Sequence, residues 1–579
     1  MNEVITDSAV SASSVLNPPQ PFEKPSPGTW FFDASHCERP LPRIMWGVLE
    51  EAFTGGNREG AAAYGLLLDT VEMRLVNGFM FVCVRPLGAP PEPRSNPPRF
   101  LFKLMMALHP GIRRRLRISE EAIRGRLWRE ETDAYLERAN AVEERLQGLL
   151  SLELEDLDER ELLEHLQACR KLAEEDAWTH YRVNMSRIIP VGDLIAHVSR
   201  WTDIEVSEIL QALRGTSPNS EEGLAELEAL AALVRENPEA RSILERSEEE
   251  GEEATVKALR EHPGGIGDAM RIWLDRIAHR TSGFSVGYPT LGEMPSTLVQ
   301  TLKAAVESPN TRSAKESGEE ACARLRTRIP QEHQESFDEL MEEARSVYFL
   351  RDHCTQRNTA TFGLLRLAAL EVGRRLVDRG LLVSAEAALD LRIEEVEEAL
   401  MGGRRDFEEA NRWYAWRMAA TSEGVPEILG PDPLEPPPME WLPEGANRRF
   451  LAAIEVYDAA MNQEVELQEE RSTTVIKGLG ASPGKRQGIA RLVLQPGDFD
   501  RVQAGDILIA RMTAPSYNVL LPMLAGVVTD RGGILSHPAI VSREYGIPGV
   551  VGTRCATTTI PDGAEVEIDG DAGTIRVLS

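Results

Sequence analysis

Between Gly526 and Gly552 the chain reads GVVTDRGGILSHPAIVSREYGIPGVVG, and few folds accommodate that order of residues. Val527–Thr529 is the end of a buried strand, and Asp530-Arg531-Gly532-Gly533 is a tight turn that needs glycine conformations. Ser536 falls at the N-cap of a helix, and Pro538 is tolerated because it lies in the first helical turn. The helix runs through Ile540–Glu544 and stops at Gly546, with Pro548 just beyond. A strand–turn–helix unit follows, with His537 in the first turn of the helix.

That placement suits phosphoryl chemistry. A helix N-terminus presents unpaired N–H groups and a partial positive charge, which stabilise a dianionic phosphoryl group. The same field disfavours imidazolium and keeps the ring a neutral nucleophile, which splits one difficult transfer into two easier ones. Gly532 and Gly533 supply the turn, Arg531 is placed to neutralise phosphate oxygens, and Ser536 to donate a hydrogen bond to them. Glu544, seven residues beyond His537, lies on nearly the same helical face and is a candidate to orient the ring. The competing reading is a histidine that only caps or packs, and for an isolated histidine that reading is the stronger.

The whole string changes the balance, because it resembles the phosphohistidine swivelling domain of the PEP-utilising enzyme family. Phosphoenolpyruvate synthase, pyruvate phosphate dikinase and rifampicin phosphotransferase belong to that family. The resemblance runs from Thr529 through Gly552, and Lys477–Val493 (KGLGASPGKRQGIARLV) resembles the opening of the same domain. Pro538 departs from the usual Ala or Gly, and Tyr517 stands where relatives often carry Trp. The resemblance implies that His537 is the phosphoacceptor.

The rest of the chain is of another texture. Residues 1–28 read as a flexible arm rich in Ser and Pro. Residues 29–430 form a mainly helical body that opens with a strand and turn near Val76–Val84. Apolar residues then recur at helical spacing from Arg113 to Glu175 and from Glu205 to Leu400. Ala344–Gly380 reads as two helices, the second stopped by Gly380. Residues 431–471 form a Pro-rich connector and one more helix, reaching to about Arg471. From 472 to 579 short β-rich runs replace the helical pattern. The predicted fold class is multidomain α plus α/β: a helical substrate-binding body with a C-terminal β/β/α swivelling domain.

The balance of 64 basic and 93 acidic residues gives a net charge of −29. Such a surface argues against nucleic acid and anionic membranes as partners. The six cysteines are scattered, so neither a disulfide framework nor a metal site is expected. With no leader or membrane span recognisable, a cytoplasmic location is expected.

Members of the family couple the swivelling domain to an ATP-grasp domain and, in some, to a C-terminal barrel. Neither is recognisable here, and no barrel is expected beyond Ser579. The nearest glycine-rich candidate, Gly478–Arg486, has only three residues between Gly480 and Gly484, and Lys485 is followed by Arg. The arrangement resembles rifampicin phosphotransferase without its ATP-grasp domain. Arg345–Gly380 is similar to its substrate-domain helices, and Pro27–Arg43 to the opening of the large subunit of phenylphosphate synthase. The resemblance implies ATP and Mg2+ on a separate ATP-grasp subunit, none bound permanently by this chain, and a small alcohol or phenol as acceptor. Arg351, Asp352 and His353 are candidates for the acceptor pocket, with Asp33 and His36 behind them; each also reads as a polar interhelix contact. Two other functions stay open: a protein that uses the swivelling domain only for docking, and a carrier component of a different multi-subunit enzyme.

Overall fold

The computed structural model describes residues 18–33, 39–216, 223–307, 314–403, 406–463 and 475–578. The body begins on a small antiparallel sheet. Its strands β1 (Trp30–Phe32), β2 (Leu68–Val76), β3 (Phe79–Pro86) and β4 (Ile428–Leu429) lie in the order β2-β3-β1-β4. The Asn77-Gly78 turn joins β2 to β3, with positive φ at both residues as a two-residue hairpin requires. The described part of the expected arm, residues 18–28, does not hang free. Arg85 donates to Pro27 O at 2.7 Å and Ser26 Oγ at 2.9 Å, and Phe22 packs on Phe79 and Phe81.

Helices make up the rest of the body: α1 (Trp46–Ala63), α2 (Arg99–Leu108), α3 (Pro110–Gly125), α4 (Leu127–Leu150), α5 (Glu159–Arg182) and α6 (Asn184–Trp201), then shorter ones to Arg328. α5 shows why such segments are helical. Asp158 accepts from the Arg160 and Glu161 N–H groups while Glu161 accepts from the Asp158 N–H, a reciprocal cap. Leu162, Leu166, Cys169 and Ala173 recur every three or four residues and are buried together.

A 29-residue helix, Leu350–Asp378, is the spine of the body. Where two helices are expected across Ala344–Gly380, this one helix fills most of the span, preceded only by the last four residues of Gln334–Val347; Gly380 at φ 69° ends it as expected. Its Arg366 is 2% exposed and bonds Glu293 and Glu386, each at 2.8 Å. A buried guanidinium needs such partners, since one left uncompensated costs several kcal/mol, about 3–5.

The connector helix, Ala446–Asn462, ends earlier than the sequence pattern indicated. Its C-terminal carbonyls explain where it stops: Met461 O accepts from Gly533 N at 2.7 Å and Ala460 O from Leu535 N at 3.2 Å. The turn before His537 caps this helix, satisfying carbonyls that would otherwise lack partners. Residues 464–474 lie outside the described residues.

From residue 475 the chain forms an eight-stranded sheet in the order β5-β12-β11-β7-β8-β9-β10-β6. The strands are β5 (Val475–Lys477), β6 (Leu479–Ser482), β7 (Lys485–Leu492), β8 (Ile507–Ala510), β9 (Gly526–Thr529), β10 (Gly549–Val551), β11 (Glu565–Asp569) and β12 (Thr574–Val577). β7 through β10 pair in parallel, while β5, β12 and β11 join β7 antiparallel and β6 closes the far edge antiparallel to β10. Every residue of β8, β9 and β10 is buried, as expected of parallel strands covered on both faces.

Candidate phosphotransfer site

Sheet register sets the geometry around His537. β8 and β9 run parallel with Ala510 opposite Thr529, so the chain leaving each strand emerges at the same end. The pairing continues past the strands, Asp530 N to Ala510 O at 3.1 Å and Arg531 N to Arg511 O at 2.9 Å. Asp530 anchors the start of the turn by accepting from Thr553 Oγ1 at 2.9 Å and from the Thr557 hydroxyl. Gly532 adopts φ 94°, the left-handed region that glycine favours. Gly533 does not; it is needed for room. A Cβ there would lie 2.2 Å from Ala460 O of the connector helix.

The histidine helix runs from His537 to Tyr545 and ends on Gly546 at φ 66°. Pro538 takes the second position without disturbing the turn, and its carbonyl accepts from Ser542 Oγ at 2.7 Å. Ser536 occupies the N-cap position but does not cap: its hydroxyl turns back to Gly533 O at 2.6 Å. Arg543, 2% exposed, donates to Ala481 O and Ile534 O, each at 2.8 Å, and ties the helix to β6 and to its own preceding turn.

His537 is 8% exposed. Its Nδ1 lies 2.8 Å from Thr513 Oγ1, and its Nε2 is buried with no hydrogen-bond partner among the described residues. Burial, and then the positive charge of Arg351, push the imidazole down to about 3. The ring is therefore neutral at physiological pH, and in the tautomer whose Nδ1–H donates to Thr513 the Nε2 lone pair is free. An unpartnered buried nitrogen is costly unless something else uses it.

The remaining expected site residues are dispersed. Arg351 reaches the histidine turn: its guanidinium bonds Leu535 O and touches Met461 Sδ at 2.7 Å. It, rather than the exposed Arg531, is the cation whose field is felt at His537. Glu544 does not orient the ring. Its carboxylate accepts from Gly215 N at 3.0 and 3.2 Å, and burial pushes it up to about 7. Seven residues restore the helical face but carry the side chain about 10 Å along the axis, beyond reach of the imidazole. Asp352 is buried beside Arg351, Arg187 and Arg543, and burial raises its carboxyl. His353 points elsewhere, Nδ1 at 2.7 Å from Tyr135 OH. Burial and the charges of Arg357 and Arg280 push it down to about 4. With His279 and Gln356 it lines a separate cavity of ≈ 480 Å³. Asp33 is half-buried near Tyr181, and His36 lies outside the described residues.

Thr513 and Arg543 were not singled out from the sequence. Arg543 carries a weak local signal, a cation closing the apolar run Pro538–Val541 of a short helix. Thr513 has none, since only sheet register brings it to His537. The glycine-rich Gly478–Arg486 segment forms β6, a Pro483-Gly484 turn and the start of β7. With no helix behind it, it is not a phosphate-cradling loop. Among the described residues no group of three or more His, Cys, Asp or Glu is placed to hold a metal ion.

Comparison with known proteins gives two family matches: residues 502–573 with the PEP-utilising enzyme, mobile domain, and residues 180–352 with the rifampicin phosphotransferase fourth domain. The second lies largely N-terminal to Arg345–Gly380, where the sequence reading had placed that likeness. A chondramide synthase of Chondromyces crocatus is 27% identical over 580 residues, 95% of this chain and 14% of that protein. A rifampicin phosphotransferase of Streptomyces sp is 29% identical over 384 residues, 62% of this chain and 40% of that protein. The phosphoenolpyruvate synthase of Pyrococcus furiosus is 43% identical over 118 residues, 20% of this chain and 14% of that protein. The chain thus spans well under half the length of these relatives.

Proposed function

Given a C-terminal domain that matches the PEP-utilising mobile domain, we propose that this chain is the phosphoryl-carrying part of a phosphotransferase. His537 receives a phosphoryl group from ATP and passes it to a hydroxyl of a small alcohol or phenol. One observation carries the reading: a neutral imidazole at the first position of a helix, one nitrogen held by Thr513 and the other buried without a partner.

In the first step the Nε2 lone pair attacks the β-phosphorus, an N–P bond forms, and the P–O bond to AMP breaks with its electron pair on the AMP oxygen; water then cleaves the β–γ bond, releasing inorganic phosphate and leaving one phosphoryl group on the ring. Thr513 keeps the proton on Nδ1, so the attacking nitrogen needs no base. Helix N–H groups and the Arg351 guanidinium stabilise the negative charge on the phosphoryl oxygens. In the second step the acceptor oxygen attacks phosphorus, the N–P bond breaks, and the hydroxyl proton passes to a neighbouring base. Asp352, whose carboxyl is buried on the spine helix beside Arg351, is the candidate. ATP and Mg2+ sit on a separate ATP-grasp subunit in this scheme, the ion neutralising the phosphates when bound.

The contacts that cover the turn come from the body, through the connector helix and Arg351. Withdrawal of the domain uncovers the ring for a donor, and docking returns it to the body. The test is capture of phosphate from ATP labelled in its β-phosphate, with an ATP-grasp partner shown to form AMP. Acid-labile label on the native chain and none on His537→Ala supports the reading. Label on both, or on neither, overturns it.

A further inference from the structure

We propose that the α2–α3 segment is a docking face for an anionic lipid surface, formed by an outward apolar stripe on α2 followed directly by the arginine-rich α3. The proposal is independent of the phosphohistidine reading.

No residue of α2 is buried. Phe100, Leu101, Leu104 and Leu108 are 73%, 39%, 49% and 65% exposed. At about 100° per residue they fall within an arc of about 100°, an unbroken stripe. The opposite side supplies the attachment to the body: Phe102, Met105 and Met106 are half-buried, with the Phe102 ring 5.8 Å from Trp441. The stripe is therefore not the side that holds α2 in place, and an exposed apolar strip of this kind marks an interaction surface.

The charge around it is opposite to that of the chain. Residues 94–126 hold nine Lys or Arg and two Glu, a net of +7 within a chain of −29, which leaves −36 for the remainder. Lys103, Arg113, Arg114 and Arg117 are exposed. Arg117 has Glu121 3.8 Å away, but both are open to water, so the pair neutralises little. By helical position Arg99 and Lys103 lie to one side of the stripe, and the exposed Arg113, Arg114 and Arg117 share one face of the helix that follows. Apolar side chains that dip below the headgroups, with guanidinium forks at phosphate level, are the arrangement of a helix lying in a membrane interface. The acidic remainder is repelled by the same surface and turns this segment toward it. The whole-chain charge that argued against anionic membranes averages over this segregation.

The experiment is co-sedimentation of the full chain with vesicles of phosphatidylcholine alone and of phosphatidylcholine one-third replaced by phosphatidylserine. Binding is expected only to the anionic vesicles, weakening as salt rises, because each basic residue near such a surface contributes and is screened. Leu104→Glu with Leu108→Glu, and separately Arg113→Gln with Arg114→Gln and Arg117→Gln, should each lower the partition coefficient about tenfold or more. All are exposed positions, so thermal melts should stay native. Binding to neither vesicle, or binding indifferent to both sets of substitutions, overturns the proposal. So does a stripe that pairs two copies of the chain without lipid.

Discussion

Replacing Gly533 with alanine separates docking from folding. Gly533 lies outside the left-handed region, so the backbone of the turn accepts alanine, and the smaller unfolded-state entropy slightly favours it. The obstacle belongs to the body: the new Cβ would sit 2.2 Å from Ala460 O and 3.0 Å from Gln463 N. To clear it the turn must retreat from the connector helix, which breaks the Gly533 N to Met461 O and Leu535 N to Ala460 O bonds. Two such bonds contribute about 0.5–1.5 kcal/mol each, and the overlap adds about 1–3 kcal/mol. Together, on the order of 2–6 kcal/mol shifts the docked equilibrium by roughly thirtyfold to about twenty-thousandfold. The assay is carbethoxylation of His537 near neutral pH, followed by mass spectrometry. The imidazole is already unprotonated there, so exposure limits the reaction. Gly533→Ala should react at least tenfold faster while the sheet keeps its native melt. An unchanged rate in a folded variant, or a faster rate accompanied by melting of the sheet, refutes the reasoning.

Thr513→Val should leave His537 Nδ1 buried without a partner at a cost of about 1–3 kcal/mol. It should also spread the ring over both tautomers, read by nitrogen NMR, while Thr513→Ser keeps the native one. Arg351→Ala removes the cation that helps depress the imidazole, so the His537 titration should move upward, and an unmoved titration would show the charge too distant to matter. Glu544 is raised from its ordinary 4.5 to about 7, so the native state holds its proton more tightly than the unfolded chain does. Its contribution is present below about 4.5, falls as pH rises to about 7 and is flat above. The difference in melting temperature between native and Glu544→Gln should follow that window. Arg366→Met leaves Glu293 and Glu386 without their shared cation and should cost about 3–5 kcal/mol in denaturant unfolding.

The strand–turn–helix around His537 was legible because each signal acts within a few residues: the glycine pair, the first-turn proline and the αL glycine at 546. The reason for the second glycine was not legible, since its constraint comes from a helix more than sixty residues earlier. The Arg351-Asp352-His353 triplet could be found as a polar cluster but not resolved. A helix turns each neighbour by about 100°, so Arg351 meets the histidine turn while His353 faces Tyr135. Thr513 is invisible to local reading because the pairing of Ala510 with Thr529 is what makes it a neighbour. The charge of −29 is silent for a related reason: a total contains no positions, and it hides a net of +7 within residues 94–126.

The carboxy-terminal module meets the connector helix through main-chain atoms, an amide at 533 and another at 535 against the carbonyls of residues 461 and 460. Those two bonds depend on the path of the backbone and not on which side chains decorate it. Beside them stand contacts that do depend on sequence, Arg351 on Leu535 O and Glu544 on Gly215 N. A counterpart module from a homologue inherits the main-chain half of the junction wherever it keeps a glycine at the turn, and must match this body at the other half.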